Sequence, residues 1–137
     1  MVEQTAPPST VVERLDERFE SVTVALEDRE WVVVRIVDPN PDELEIYAAL
    51  WFGELTRDER TGCYGMSSGP GDDPRPVMWP VGAALSPAGA LTVPGFGELA
   101  VGETFEGGGG EVPLPAAVAE LCDAQVGYEI GVVREAE

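Results

Sequence analysis

The chain has 137 residues and a formal net charge of −18, set by 26 acidic residues against eight arginines, with no lysine and no histidine. The missing histidine removes the commonest general base near neutral pH and the commonest zinc ligand, and the surplus acid disfavours direct contact with nucleic acid, whose phosphates are bound through Lys and Arg. With 44% apolar residues the length suits one core, so we expect a disordered tail over 1–8 and a single globular domain over 9–134.

Met1 to Pro8 has neither a positive n-region nor an apolar h-region, so no secretory signal is expected. Pro76 to Gly97 is free of charge over 22 residues, but Pro80, Pro87 and Pro94 interrupt it and argue against a membrane span. Cys63 and Cys122 form no C-x-x-C pair; reduced, structural thiols and a cytoplasmic location are the expectation. A lysine-free chain rich in Ala, Gly, Val, Glu and Arg is also what GC-rich genomes or salt-adapted cells produce, so acidity as compositional background stands as an alternative to acidity as a tool.

Thr10-Val-Val-Glu13 has the form of a capping box and predicts a helix from Val11 to Glu20. Val12, Leu15 and Phe19 would gather on one side of it, with Glu13, Glu17 and Glu20 on the other. Ser21 to Glu27 alternates, putting Val22, Val24 and Leu26 on one face of a strand. Trp31 to Val37 is apolar on both faces apart from Arg35, and Asp28-Arg29 reads as the hairpin connection between the two. Asp38-Pro-Asn-Pro-Asp42 stops that strand. Leu44 to Leu55 alternates at Leu44, Ile46, Ala48, Leu50 and Phe52 and favours strand over helix. A charged loop over Arg57 to Gly62 then returns the chain to a strand over Cys63 to Ser67.

In the second half, Ser86-Pro-Ala-Gly89 suits a type I turn and Pro94-Gly95 a type II turn, which predicts short strands near 81–85, 90–93 and 96–105. The four-glycine run Gly107 to Gly110 reads as a mobile connection. Pro113 and Pro115 can open a helix on which Val118, Leu121 and Cys122 share a face, with Gly127 ending it. Tyr128, Ile130 and Val132 alternate in a last strand. The expected class is α+β: a mostly antiparallel sheet of about six to eight short strands, with one N-terminal and one C-terminal helix packed on it.

Motifs for chemistry are weak. Gly65-Met-Ser-Ser-Gly69 matches the G-x-S-x-G nucleophile elbow, but no histidine exists to act as its base. Asp38-x-Asn40-x-Asp42 begins like a calcium loop and then places Glu43 where glycine is needed and Ala49 where a bidentate glutamate is needed. Neither Gly69-Pro-Gly71 nor the glycine run has the spacing of a phosphate loop, and Glu111 follows the latter. No catalytic group, cofactor or metal is therefore expected, and no carboxylate pair can be singled out for acid-base work.

The acids cluster at Glu13, Glu17 and Glu20, at Glu27, Asp28 and Glu30, and at Asp38, Asp42, Glu43 and Glu45. This points to a non-catalytic acidic binding protein that engages a basic protein, an inhibitor in the manner of immunity proteins, antitoxins or nucleic-acid mimics by analogy of charge alone. Its contacts would be Glu13, Glu17, Glu20, Glu27, Asp28, Glu30, Asp42 and Glu43, with Trp31, Tyr47 and Trp51 as aromatic anchors. No membrane partner is expected. An assembly subunit of a viral or shell kind, joining a neighbour through an edge strand over Ala90 to Val101, is the alternative.

Overall fold

The computed structural model describes residues 10–26, 29–37, 50–68 and 73–135. The tail over 1–8, the Glu27-Asp28 tip, the segment 38–49 and Gly69-Pro-Gly71 lie outside them. Strands make up 62% of the described residues and helix only one short piece among them, so the α+β expectation is overturned: the architecture is a closed five-stranded barrel with an attached hairpin system.

The predicted N-terminal helix is a hairpin. Thr10–Arg14 is strand β1 and Phe19–Leu26 is β2, paired antiparallel with Thr10 opposite Val24 and Arg14 opposite Glu20. Two local causes defeat the capping box. Val11 and Val12 are β-branched and favour a pleated backbone. The Asp16 carboxylate accepts from the backbone N–H groups of Arg18 and Phe19 at 2.8 and 2.9 Å, and that side-chain competition turns the chain where a helix would continue.

β3 (Arg29–Ile36) pairs with β2 in the expected way, Val24 opposite Trp31. There follow β4 (Leu50–Arg57), β5 (Tyr64–Ser67), β6 (Arg75–Trp79), β7 (Ala84–Leu85), β8 (Leu91–Val93), β9 (Gly97–Leu99) and β10 (Thr104–Pro113). The chain ends in α1 (Ala116–Cys122) and β11 (Val126–Glu135). The barrel runs β6-β11-β10-β4-β5 and closes because β5 also pairs with β6. β6 lies parallel to both β11 and β3, so the β1-β2-β3 sheet branches from the barrel wall. The turn chemistry of the second half does give a meander: β7, β8 and β9 form a separate antiparallel sheet.

Alternation sorts the apolar side chains into two cores on either side of the β3-β6 layer. Leu55, Met66, Val77, Trp79, Phe105 and Ile130 fill the barrel together with Leu91 and Leu99 from the small sheet. Phe19, Val32, Val34, Ile36 and Met78 face the other way, against Val118 and Cys122 of α1.

The four-glycine run is not a mobile connection. It is the middle of β10, with Gly107, Gly108 and Gly109 buried. A Cβ on Gly109 would stand 1.8 Å from the Glu129 carbonyl oxygen, and one on Gly107 would press on Ile130 and Phe105. Gly53 on β4 similarly leaves room opposite Phe105, since a Cβ there would meet Met66 Sδ at 2.7 Å. A barrel of only five strands has little interior, and small residues facing large ones let it close.

The predicted C-terminal helix survives as seven residues inserted in the β10-β11 hairpin. It stops at Asp123, whose φ of 49° ends the helix in the left-handed region, and Gly127 lies in β11 instead. α1 has no side-chain cap and no charged residue suited to either end, and seven residues cannot hold a helix alone. What holds it is the burial of Val118 and a disulfide from Cys122 to Cys63, with Cα atoms 5.8 Å apart. The expected reduced thiols are thus bonded, because closing the barrel carries the start of β5 up to the end of α1.

Candidate functional site

The structure separates the acids that the helical reading had aligned. Glu13, on β1, is exposed opposite Ser21, and Glu17 lies in the turn. Glu20 is on the other face of the hairpin, opposite Arg14 and Arg35, and binds Arg35 Nε at 2.6 Å. Glu30 pairs with Ala25, four residues along β2 from the partner of Glu13, which is about 13 Å at the usual strand rise. No Glu13-Glu17-Glu20 stripe exists. Glu27, Asp28, Asp42 and Glu43 lie outside the described residues.

The expected anchors are also placed elsewhere. Trp31 is 2% exposed. Trp51 is half-buried and packs on Tyr128 with ring centroids 5.5 Å apart, and Tyr47 lies outside the described residues. The face of β4 that turns inward carries Trp51, Gly53 and Leu55, so Phe52 of the alternating set points out. It is 53% exposed. This facing sets Gly53 opposite Phe105 inside the barrel.

Phe52 sits within an acidic setting. Across β10 its partner is Glu106, and Glu54 follows two residues along the same face of β4, opposite Thr104. Glu106 in turn faces Arg134 on β11, and Gly108 beside it faces the exposed Val132. Outward side chains of β4, β10 and β11 thus form one surface with an aromatic ring, a valine, two glutamates and Arg134. The signal for it in the sequence was F-x-E on a strand; only the register shows which face meets water.

A second feature is a cleft of about 410 Å³ over β4, β5 and β6, lined by Arg57, Asp58, Glu59, Arg60, Gly65 and Arg75, with Cys63 and two prolines. Arg60 reaches Asp58 at 3.3 Å and Asp123, the residue that ends α1, at 3.4 Å. Burial pushes the Asp58 carboxyl up, but the backbone N–H groups of Arg60 and Thr61 and the Arg60 guanidinium outweigh it and hold Asp58 below its ordinary 3.8. Arg75 is paired with Glu111.

Ser67 of the G-x-S-x-G motif ends β5, both cysteines are consumed by the disulfide, and among the described residues no three metal-binding side chains lie together. Glu129 is a buried carboxylate, 5% exposed, but both its oxygens engage Arg18, at 2.6 and 3.3 Å, fixing the β1-β2 turn to the barrel. Among the described residues no helix is long and apolar enough to cross a membrane. No protein-family model, curated protein or solved structure matches the chain.

Proposed function

We propose that the protein is a non-catalytic binding domain whose acidic sheet face, centred on Phe52, engages a basic protein partner. The observation that carries this reading is the exposure of a phenylalanine, 53% open to solvent, on a regular strand between Glu54 and Glu106. Aromatic side chains are costly to leave in water and are enriched at protein interfaces, while surrounding charges choose the partner and speed its approach. Val132 extends the apolar centre. Glu13, Glu17 and Glu30, exposed elsewhere, add to the long-range attraction within a net charge of −18.

The test compares capture of a partner from lysate of the source cells by the parent chain and by variants. Phe52→Ser should abolish capture, and Glu54→Lys with Glu106→Lys should abolish it too, while Glu13→Lys weakens it only slightly. Capture by the parent should fall as sodium chloride rises from about 0.05 to 0.5 M. A partner held equally by Phe52→Ser and the parent would overturn the reading.

A further inference from the structure

Among eight arginines in a chain with 26 acids, two share one aromatic ring. Arg18, Arg35, Arg60 and Arg75 each meet a carboxylate. Arg29, at the start of β3, and Arg57, at the end of β4, meet none among the described residues. Arg29 donates to the Glu59 carbonyl oxygen. Both guanidinium groups lie over the ring of Trp31, their central carbons 4.2 and 4.1 Å from its centroid. The two cations are therefore neighbours on one indole, and like charges this close repel each other.

The same group holds donors without acceptors. Trp31 is 2% exposed and its Nε1–H has no hydrogen-bond partner among the described residues, and Arg29 Nε is likewise buried without one among them. Buried N–H groups are nearly always bonded, so two such donors beside two guanidiniums that meet no carboxylate among the described residues make a set suited to an acceptor. A guanidinium held over an indole face keeps N–H groups at its edge that can reach an acceptor beside the ring. Arg57 and Glu59 also line the cleft of about 410 Å³, which gives a small molecule room beside the group.

We propose that Arg29, Arg57 and the Trp31 indole N–H form a binding site for an oxyanion, a carboxylate or a phosphate, carried by a small molecule that enters through the cleft. The guanidinium fork matches the paired oxygens of either group, and bound negative charge cancels the repulsion between the two cations. The site uses no residue of the Phe52 face and stands whether or not that face binds a protein.

The test uses the full chain labelled with ¹⁵N, titrated separately with inorganic phosphate and with succinate at constant ionic strength, with chloride as the control. The indole N–H resonance of Trp31, identified by its loss in Trp31→Phe, should shift saturably with phosphate or succinate and not with chloride. Saturation by phosphate alone assigns a phosphate ligand, and by succinate alone a carboxylate. Arg57→Gln should weaken binding about tenfold or more, while Arg60→Gln, whose guanidinium is already held by Asp58 and Asp123, should stay within about twofold of the parent. A Trp31 resonance that fails to saturate with either anion, or that chloride moves equally, overturns the proposal. So does an Arg57→Gln chain with an otherwise parental spectrum that binds as tightly as the parent.

Discussion

The two sides of the β3-β6 layer are held together by different means. Inside the barrel, fit does the work: Gly53 and Gly107 face Phe105, Met66 and Ile130, Trp79 packs on Phe105 at 5.6 Å, and no covalent link is involved. On the α1 side the apolar cluster is thinner and is fastened by bonds between distant segments. The disulfide joins residues 59 apart, and the Arg18–Glu129 pair joins residues 111 apart. A closed barrel stabilises itself by filling its own interior, whereas a seven-residue helix and an outlying hairpin need fasteners because neither can bury enough surface alone.

This contrast can be broken from either side. The largest effect is expected from Gly109→Ala, because the new Cβ would lie 1.8 Å from a backbone oxygen of β11 and neither strand can yield without opening the barrel. We expect a loss of about 5 kcal/mol or failure to fold, read by urea unfolding. Gly107→Ala, whose contacts are the flexible ends of Ile130 and Phe105 at 3.1 to 3.3 Å, should cost only about 1 to 3 kcal/mol.

Breaking the fastened side comes next. Reduction, or Cys122→Ser, releases a loop of 59 residues and should lower stability by about 4 kcal/mol on the chain-entropy account, seen as a shift of the unfolding midpoint with reductant. Glu129→Gln leaves Arg18 facing a neutral group. With the Arg18 side chain 32% exposed, a loss of about 2 to 3 kcal/mol is expected, and a cycle with Arg18→Met isolates the pair. The smallest effect belongs to Asp58. Its folded carboxyl ionises below its ordinary 3.8, so its contribution is present above that value and fades as pH falls through the lower folded one. Asp58→Asn should flatten that last part of the acid-unfolding curve and leave stability at pH 7 slightly reduced.

How much could be read beforehand differs between elements for physical reasons. The β2-β3 hairpin and the β7-β8-β9 meander were legible because alternation and turn residues act within a few positions of the chain. Val11 to Glu20 was not, since its apolar spacing suits a helix and the outcome turned on the Asp16 side chain and on a partner strand. The glycines of β10 misled for a related reason. Four in a row are permissive in isolation, and only the closeness of β11 and Phe105 makes them obligatory.

The candidate surfaces divide in the same way. Composition alone shows the surplus of acid and the absence of histidine. It could not say which acids share a face, because that depends on registers set by pairings between distant residues. It could not show that Phe52 turns outward, or that Arg29, Arg57 and Trp31 meet. Charge and turn chemistry are properties of residues and their near neighbours, so the sequence by itself determined the acidity, the short strands of the meander and the lack of a histidine base. Closure of the barrel, the Cys63–Cys122 bond, the outward turn of Phe52 and the meeting of Arg29 and Arg57 over Trp31 were decided by the tertiary structure, where the limited space inside five strands dictates which side chains go in and which turn to solvent.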